Sequence, residues 1–488
     1  MFWCYFSQEV SDQCKCMKLH TEVPVIVYDI KKLQGIVVFT QTVRCILPFF
    51  ALLLFLNLNT AFSAEEELSR VRISTDYTRQ VTLYTQELES LERRFGPYDR
   101  SLLEPLDALI SLHSSVDSFE EINSLLGRQL QLVHVTEGPN TFNQLPILES
   151  LIKNNLEFNN LGAVTNNFEN RQYVFLQNSD STVEQKLASM DDLRNWYLTA
   201  FNLDTKQNRL PYFMKSRSLL QQMLTVASDA FGEKDKRMVP FLYKEALEKY
   251  YLMTLLTAVD ELGYDANDFI FVPERIQPIT YLRQGYEIVK DIGDIVRLNA
   301  DKEAEGMATV YEADYQMLLG LGIARRTYQN AMDLFAEAGV REQKITDFFS
   351  RPVVIPAPEY YTSINDAMNA QEASGYLYSE GEQSEDPKIH LGNYTAWNES
   401  VAYTPLPSPP NLLSDIELDL TRVEIGFRIS SRGKTRGPDA ESSDPDSVRA
   451  RRNAQDALKE MVFRPRFEGT RWRPTKNLTM TYWYPTEK

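Results

Sequence analysis

The feature that most constrains the fold of this chain is a spacing of 42 residues between two similar helical segments. Gly96-Pro97 recurs as Gly138-Pro139, and the apolar positions that follow recur at the same offset. These pairs are Leu103 with Leu145, Leu106 with Leu148, Leu109 with Leu151, Ile122 with Val164, and Leu126 with Phe168. A two-helix unit of this length cannot bury its apolar face alone, so it must stack on neighbouring units. The spacing therefore predicts a solenoid of helical hairpins, an α-α superhelix.

The helical pattern extends well beyond these two units. From residue 74 to about residue 349, apolar residues recur every three or four positions, and Gly and Pro fall mostly at the breaks. The opening Phe95-Gly-x-x-Asp99 also reappears as Phe231-Gly-x-x-Asp235. We therefore predict that residues 75–349 form one helical-repeat domain in a mainly α protein. The alternative is a helical bundle without a continuous groove.

The repeat unit resembles that of a known family. The string GPYDRSLLEPLDALISLH, at positions 96–113, is similar to the tetratricopeptide repeats of kinesin-light-chain type, whose units exceed the usual length of about 34 residues. The segment 315–339 also resembles one tetratricopeptide unit. The resemblance implies a concave surface that binds a peptide or a partner helix. A protein-protein interaction scaffold is therefore the expected function.

The N-terminal 63 residues have the pattern of an export signal. An apolar run at 46–56 follows an arginine, and the small residues Ala61 and Ser63 fit a signal-peptidase cut after Ser63. The run is shorter than the roughly 20 residues that span a bilayer comfortably. We expect residues 1–63 to be an N-terminal extension and cleaved signal peptide, and the mature chain to lie in the periplasm of a bacterial, Gram-negative cell envelope. The alternative is that residues 46–58 stay as an anchor in the inner membrane, with the chain facing the periplasm.

Composition and motif content argue against catalysis and against nucleic-acid binding. The formal net charge of −17 does not favour contact with phosphates. All four cysteines precede the proposed cut, so the mature chain has no thiol nucleophile and no thiolate metal site. The sequence contains no HExxH, no GxSxG, no P-loop motif and no GxGxxG. The histidines after the cut, His113, His134 and His390, are expected in core or capping roles. We predict no enzyme, no metal site and no cofactor.

A change of composition marks the end of the helical pattern. Residues 352–410 are rich in Pro, Ser, Asn and acidic residues, and Leu406-Pro-Ser-Pro-Pro410 is a stiff, extended stretch. We predict a Pro-rich, polar linker over 352–410, with a short strand pair around 389–403. A linker of this length would let the domain that follows sample a wide radius around the helices.

The last segment has the pattern of a small α+β domain. Val423, Ile425, Phe427 and Ile429 alternate with other residues and predict a half-buried strand. A turn, a helix with one apolar face and a second alternating strand follow. In this order, the strings VEIGFRIS, AQDALKEMVFRPRFEGT and LTMTYWY resemble the C-terminal domain of TonB, and we assign it to residues 411–488.

Two features depart from the TonB pattern. The stretch 434–443, where the second strand of the family stands, is polar and contains a proline, so we expect that strand to be short or lost. The apolar run near the N-terminus lacks the histidine of the TonB membrane helix. The resemblance therefore implies the binding fold more firmly than the energy-transducing activity.

The TonB resemblance also implies where a partner binds. In that family the last strand accepts an extended peptide from an outer-membrane transporter, which adds a strand to the sheet. The candidate partner-binding residues are therefore Thr479, Thr481, Trp483 and Tyr484, together with Arg464 and Arg466. The arginine-rich patches 449–452 and 464–473 are expected to contact the acidic body of the protein or an anionic envelope surface.

The expected partner is a protein or peptide of the envelope, with an outer-membrane transporter as one candidate. Membrane contact is expected through the N-terminal segment alone. A divergent TonB-type energy transducer for transmembrane transport, anchored by residues 46–58, is the alternative function.

Overall fold

The computed structural model of the protein describes residues 76–204, 206–257, 277–379, 388–395, 420–442, 447–469 and 471–485. The predicted signal, residues 1–63, and the alternative anchor within it lie outside the described residues. The chain from Asp76 onward forms one compact unit. None of the described helices combines the length and the hydropathy that a bilayer crossing requires.

The described residues before position 351 are built from helices. In chain order these are α1 (76–95), α2 (Leu103–Ser114), α3 (Phe119–Glu137), α4 (Leu145–Glu157), α5 (Leu161–Gln177), α6 (Val183–Leu203), α7 (Lys206–Phe231), α8 (Val239–Thr257), α9 (Ile279–Arg297), α10 (Lys302–Leu318), α11 (Ala324–Glu337) and α12 (Glu342–Ser350). From α2 to α11, each helix packs mainly against the described helices before and after it in the sequence, whereas α12 packs mainly against the strand at residues 466–468. The mainly α class is confirmed, and the superhelix stays a prediction. We call α1 to α12 the helical array.

The 42-residue spacing is visible in the geometry of two successive hairpins. The helices α2 and α4 begin 42 residues apart, and so do α3 and α5. The turns inside the two hairpins also match, because Asp117 and Asn159 have φ values of 53° and 55°. Asp and Asn tolerate this left-handed region better than most other residues with a side chain. In both turns the next residue donates its N–H to a carbonyl five residues earlier, at 3.1 and 2.8 Å.

Glycine sets the breaks between hairpins. Gly96, Gly138 and Gly232 follow the ends of α1, α3 and α7 with φ values of 94°, 98° and 89°, which glycine adopts at low cost. Three residues after each glycine, a side-chain oxygen accepts a backbone N–H and caps the 3₁₀ turn that leads into the next α-helix. These caps are Asp99, Thr141 and Asp235. The sequence echo near Phe231 therefore marks a true boundary between helices.

The regular spacing ends where the helices lengthen. The helices α6 and α7 have 21 and 26 residues, whereas α2 to α5 have between 12 and 19. Trp196 on α6 is fully buried, stacks on Phe168 with ring centroids 5.4 Å apart, and donates its indole N–H to Thr165 at 2.9 Å. This cluster opens a large apolar core that continues to α12.

The segment 315–339 is not a complete helical unit. Its first residues are the last turn of α10, so the hairpin begins at Lys302 and runs to Glu337. Ala331 and Phe335 are fully buried on α11. A Cβ atom on Gly306 would lie 2.6 Å from the Phe335 ring, so this glycine allows α10 and α11 to approach closely.

The prediction of a linker over 352–410 is wrong for a large part of that range. It contains β1 (Val353–Ile355), α13 (Ile364–Ala373), β2 (Tyr376–Ser379) and β3 (Lys388–Thr395). Ile364 is fully buried among the helices, and Tyr376, Ile389 and Leu391 lie in the core of the sheet. A few apolar residues, all of them buried, hold these elements in place, although the average composition is polar. Residues 396–419, including the end of the predicted strand pair, lie outside the described residues.

The C-terminal region contains strands and one helix. These are β4 (Leu420–Ile429), β5 (Thr435–Ser442), α14 (Val448–Glu460), β6 (Val462–Arg464), β7 (Arg466–Glu468), β8 (Arg471–Arg473) and β9 (Thr475–Pro485). A five-stranded sheet has the order β2-β3-β9-β4-β5, in which β3 and β9 are parallel and the other neighbours antiparallel. Two ribbons, β1 with β6 and β7 with β8, complete the strand pairing. The predicted order of strand, turn, helix and strand is confirmed by β4, α14 and β9.

The expectation that the second strand is short or lost is wrong. The polar stretch forms β5, an eight-residue strand that pairs with β4. An outer strand needs few apolar residues, because one of its edges and one of its faces meet solvent. Pro438, Asp439 and Glu441 also make that edge a poor template for another strand.

The core of the sheet contains the side chains that the alternation predicted. Phe427, Leu458, Phe463 and Tyr482 are buried together in one apolar cluster, as expected. Phe427 and Phe463 have ring centroids 5.4 Å apart. The helix α14 therefore covers one face of the sheet, with β6 packed beside it.

Candidate functional site at the junction of the helices and the sheet

The short ribbon β7–β8 inserts aromatic side chains into the helical array. Phe467 is buried in the core of the array rather than in that of the sheet. Its ring lies 6.4 Å from that of Phe349 on α12, and Trp472 lies 6.0 Å from Tyr328 on α11, centroid to centroid. The C-terminal region is therefore attached to the helices by apolar packing.

A buried ion pair lies beside this ribbon. Arg464, at the end of β6, donates from Nε and Nη2 to the two carboxylate oxygens of Asp314 on α10, at 3.0 and 2.7 Å. The side chains of Arg464 and Asp314 are 5% and 1% exposed. Asp314 also accepts a hydrogen bond from the hydroxyl of Tyr328. The bidentate geometry satisfies both charges although the two side chains are almost completely buried.

The surroundings of Arg464 keep it charged. Burial lowers the pKa of this guanidinium, but the charge and the hydrogen bonds of Asp314 outweigh burial, so the net direction is upward. The guanidinium also faces the rings of Phe348 and Tyr328, at 5.3 and 5.7 Å from their centroids. Cation–π contacts of this kind strengthen when water is excluded.

The hairpin between β4 and β5 also contacts the helices. Gly433 has a φ of 68°, and a Cβ atom there would lie 2.0 Å from the carbonyl oxygen of Phe463 and 2.5 Å from Cε of Met317 on α10. Any side chain would push the hairpin away from β6 and from α10. The turn that the sequence predicted here is therefore also a point of contact between the sheet and the array.

These contacts show that residues 411–488 are not a freely tethered domain. The sheet takes β2 and β3 from the segment before 411, and its loops are buried against α10, α11 and α12. The expectation of a domain that moves independently on a linker is wrong, because the Asp314–Arg464 pair and Phe467 join the two parts.

The predicted peptide-binding edge of the last strand is also not available. In the sheet, β9 lies between β3 and β4, which pair with its two edges. Thr479 and Thr481 lie opposite His390 and Asn393 on β3, and Trp483 lies opposite Thr395. Thr481 is buried, and the side chain of Tyr484 lies outside the described residues. The addition of a partner strand to β9 is therefore excluded, because β3 already pairs with that edge. The strand β3 lies in the range that was predicted to be a linker.

The two candidate arginines have different surroundings. Arg464 is buried and bound to Asp314, so it does not face a partner. Arg466 is partly exposed on β7, and its Nη2 lies 3.3 Å from the carboxylate of Glu468. Arg473 pairs with the same carboxylate at 2.8 Å. The expected contact of the arginine-rich patch with the acidic body is confirmed for Arg464.

Two buried tyrosines of the helices, Tyr243 and Tyr311, connect the segment after β1 to the array. The hydroxyl of Tyr243 donates to the carbonyl of Ala357 at 2.9 Å, and that of Tyr311 donates to the carbonyl of Glu359 at 3.3 Å. The Tyr311 oxygen also accepts the N–H of Tyr361 at 2.9 Å. Burial raises the pKa of Tyr243 and Tyr311 well above the usual range, so both stay neutral.

A cavity of about 330 Å³ opens beside this cluster, and we call it the junction cavity. It is bounded by α10, α12, α13, the strands β1 to β3 and the end of β6. Its apolar wall contains Met307, Tyr311, Phe348, Val354, Leu391 and Tyr394. Its polar lining contains Glu359, Gln371, Ser374, Tyr376, Asn393 and Arg464.

No constellation typical of a metal centre is present in the described part of the chain, where no three His, Cys, Asp or Glu side chains group around one point. His113 Nδ1 lies 3.0 Å from the Tyr77 hydroxyl, and His390 Nδ1 lies 3.0 Å from Thr479 Oγ1. Both histidines are half-buried and contact a side chain of a neighbouring element, a role that differs from the expected core or capping role. The absence of enzymatic activity stays a prediction.

Sequence reasoning missed the junction because its partners are 150 residues apart. One signal was available in the sequence itself. Asp314 lies between Ala313 and Tyr315, on the part of α10 that is rich in apolar residues. Burying an unpaired carboxylate there would be costly, so its presence indicates a partner of opposite charge. Nothing in the sequence indicates that Arg464 is its partner.

Comparisons with known proteins do not assign a family. No protein-family model and no curated protein matches this chain. Among solved structures, BtubC (BKLC) from P. vanneervenii matches with a TM-score of 0.28 and 13% identity, over 55% of this chain and 93% of that one. A likeness at this TM-score supports no conclusion about fold or function.

Proposed function

We propose that the protein is an interaction scaffold in which the helical array holds a partner protein and the C-terminal sheet closes the end of the array. Stacked two-helix units commonly expose a long surface to a partner, because each unit contacts only its neighbours. The consecutive packing from α2 to α11 supports this proposal. The equivalent turns at Asp117 and Asn159 support it further.

The observation that most favours this function is a group of exposed apolar side chains on successive helices, which we call the apolar strip. We define it by Phe95, Tyr98, Val135 and Tyr173, which are each about half exposed. Tyr98 contacts Gln131 on α3 at 3.4 Å, one helical turn before Val135. Tyr173 stands 42 residues after Gln131, so it occupies the same position in the second hairpin. A contiguous exposed apolar patch is typical of protein-binding surfaces, and in this proposal the four side chains form one such patch.

The sheet supports this function as an end cap. The last unit of a helical array needs a cover for its apolar face. Phe467 and Trp472 provide that cover for α11 and α12. In this proposal the sheet has a structural role, and the partner binds to the array.

Site-specific photo-cross-linking tests the proposal. A photoreactive residue at Tyr98 or at Tyr173 is expected to capture the same protein from the producing cell. The matched control is Leu298, which is 71% exposed at the end of α9 and lies outside the strip. If Tyr98 and Tyr173 give no adduct, or the same adducts as Leu298, the array does not hold a partner at this surface.

Export to the periplasm is part of the proposal and rests on the apolar run before Ser63. Sequencing the N-terminus of the mature protein tests it, with Ala64 as the expected first residue. An intact 46–58 segment in the membrane fraction would instead indicate an anchor. The energy-transducer alternative is not proposed, because β3 covers the strand edge that it required.

A further inference from the structure

We propose that the protein docks on the surface of an anionic lipid bilayer through the loop between α10 and α11 and the neighbouring β4–β5 hairpin. We call this surface the docking patch. Its members are two exposed aliphatic and four exposed cationic side chains: Leu321, Ile323, Arg325, Arg326, Arg432 and Lys434. The proposal goes beyond the scaffold function and does not depend on the apolar strip. It adds a second membrane contact to the one expected of the N-terminal segment.

The loop between α10 and α11 exposes two aliphatic side chains. Leu321 is 42% exposed and Ile323 is 54% exposed, and the glycines beside them, Gly320 and Gly322, are exposed as well. Gly320 has a φ of 70°, which lets the chain turn at low cost. Four consecutive exposed residues without a polar side chain thus form the turn. Aliphatic side chains in such a turn suit the boundary between headgroups and acyl chains of a bilayer.

Four exposed cations accompany this loop. Arg325 and Arg326 lie in the first turn of α11, which contains no acidic residue. Arg432 and Lys434 lie in the turn between β4 and β5. Among the described residues, no carboxylate forms an ion pair with any of the four. Their charges are therefore available to phosphate groups, which accept strong hydrogen bonds from guanidinium and ammonium groups.

The loop and the hairpin turn are neighbours in the structure. Gly433, between the two hairpin cations, is buried, and a Cβ atom there would lie 2.5 Å from Cε of Met317 on α10. The turn of the loop begins at Met317, whose carbonyl accepts the N–H of Gly320 at 3.0 Å. The hairpin turn therefore contacts the end of α10 from which the loop leaves, and the two groups of cations flank the aliphatic side chains.

The local charge favours an anionic surface although the chain as a whole is acidic. The net charge is −17, yet residues 315–332 and 425–438 contain six cations and no acidic residue. Two of these cations, Arg428 and Arg436, lie directly opposite each other on β4 and β5, and both are exposed. Like charges at opposite positions destabilise a sheet. An anionic surface at this end of the hairpin would reduce that repulsion.

The combination of cations with aliphatic side chains indicates a bilayer rather than an acidic protein. An acidic protein surface would satisfy the arginines and the lysine but would leave Leu321 and Ile323 without an apolar partner. A bilayer with anionic lipids offers phosphates to the cations and an apolar layer directly beneath them. Both parts of the docking patch therefore gain from one occupant.

Binding of residues 64–488 to vesicles tests the proposal. This part of the chain contains every described residue, and it lacks the apolar run 46–56, which would bind lipid by itself. Vesicles of phosphatidylglycerol and phosphatidylcholine in equal parts are expected to bind at least tenfold more tightly than vesicles of phosphatidylcholine alone. Added salt is expected to weaken the binding, because it screens exposed charges.

The contribution of the cations is tested with the double variant Arg325→Gln/Arg326→Gln. It is expected to bind the anionic vesicles at least tenfold more weakly, since each cation near the surface contributes about fivefold. The matched control is Arg93→Gln/Arg94→Gln, which removes two consecutive exposed arginines of α1 and is expected to bind like the parent.

Insertion of the loop is tested with a polarity-sensitive dye. Residues 64–488 contain no cysteine, so Leu321→Cys introduces a single labelling site. The emission of a dye at this position is expected to shift to the blue on anionic vesicles, because the dye leaves water. The control is a dye on Leu298→Cys, an exposed position after α9 and outside the docking patch, where no shift is expected.

Four results would overturn the proposal. The first is equal affinity for the two vesicle compositions. The second is equal affinity of the parent and of Arg325→Gln/Arg326→Gln for the anionic vesicles. The third is an unchanged emission at Leu321→Cys on vesicles that the protein binds. The fourth is no binding to either vesicle, which would leave the docking patch to a protein partner. Failure of the cross-linking at Tyr98 and Tyr173 would leave this proposal unaffected.

Discussion

At the scale of single residues, the buried pair of Asp314 and Arg464 decides how the sheet is held. Taking two charges out of water is costly, and their attraction repays the cost only with good geometry and further hydrogen bonds. Here both carboxylate oxygens are bonded to the guanidinium, and Tyr328 adds a third bond. The pair therefore gives the junction its specific orientation more than it gives net stability.

Removing one partner of this pair is expected to destabilise the protein strongly. Arg464→Met leaves the Asp314 carboxylate buried and unpaired, which should lower the free energy of unfolding by about 3–5 kcal/mol. The double variant Asp314→Leu/Arg464→Met should recover a large part of this loss, because an apolar pair needs no compensating charge. The buried Tyr328 hydroxyl then lacks its acceptor, which retains a cost of about 1–3 kcal/mol. Urea denaturation of the parent, the single variant and the double variant measures these changes in the free energy of unfolding.

The control for the ion pair is Arg466→Met, which removes a partly exposed arginine on the neighbouring strand. Its effect should stay within about 0.5 kcal/mol, as for most surface substitutions. If Arg464→Met is as mild as Arg466→Met, the junction does not depend on the buried pair.

His390 on β3 is expected to make the sheet sensitive to acid. Burial lowers the pKa of His390, while the nearby Glu424 raises it and Arg422 lowers it, with a net downward direction. A histidine with a lowered pKa in the folded state stabilises the fold above its unfolded pKa of about 6.5. This contribution is lost as the pH falls through that value toward the folded pKa.

The measurement for His390 is the free energy of unfolding of the parent and of His390→Gln, between about pH 8 and about pH 5. The parent should lose more stability than the variant over this interval, since glutamine does not titrate. Parallel curves for the two proteins would show that His390 has an ordinary pKa in the fold.

At the scale of elements, the β7–β8 ribbon is short but couples two cores. Phe467 contributes to the core of the helices, whereas Phe463, four residues earlier, contributes to that of the sheet. The segment 463–467 thus contributes to both cores, and we expect a substitution that disrupts one core to destabilise the other.

Phe467→Ala is expected to loosen α11 and α12 while leaving α2 to α5 intact. Large-to-small changes of a buried phenylalanine cost about 3–5 kcal/mol. Hydrogen exchange should therefore become faster in residues 324–350, which pack against the ribbon, and stay unchanged in residues 103–177. Uniform acceleration, or none in α11 and α12, would contradict the assignment of the ribbon as an end cap.

The sequence predicted the elements whose signals are local. The hairpins of the array follow from glycines at 96 and 138 and from caps at Asp99 and Thr141, which act within a few residues. The strand β4 and the helix α14 follow from alternation and from one apolar face. Each of these signals lies within one window of the sequence.

The elements that the sequence did not predict depend on distant partners. Composition identified 352–410 as a linker, yet β3 pairs with β9, about 90 residues further along the chain. The local pattern of β9 does not contain its neighbour β3, so it predicts a free edge at Thr479 and Thr481 where the structure has a paired one. A polar average cannot reveal a few buried residues such as Ile364 and Leu391.

At the scale of the whole molecule, the helices from α10 onward and the sheet depend on each other. The sheet covers the last helices of the array, and the array supplies Asp314 and Met317 to the junction. The segment that follows the array forms β1 to β3, of which β2 and β3 belong to the sheet. The C-terminal fragment 411–488 lacks β2 and β3, and with them Tyr376, Ile389 and Leu391 of the sheet core. It also leaves Arg464 without its counter-charge.

The measurement that tests this central claim most directly is a denaturation curve of residues 411–488 expressed alone, beside that of residues 64–488. The mutual dependence of sheet and helices predicts no cooperative transition for the fragment, because its core is incomplete and its central strand β9 has one unpaired edge. In the longer chain, the near-ultraviolet circular dichroism of buried aromatic residues such as Trp472 and the far-ultraviolet circular dichroism of the secondary structure should be lost at the same urea concentration. A cooperative transition of the isolated fragment, at the same urea concentration as the sheet in the longer chain, would contradict the claim.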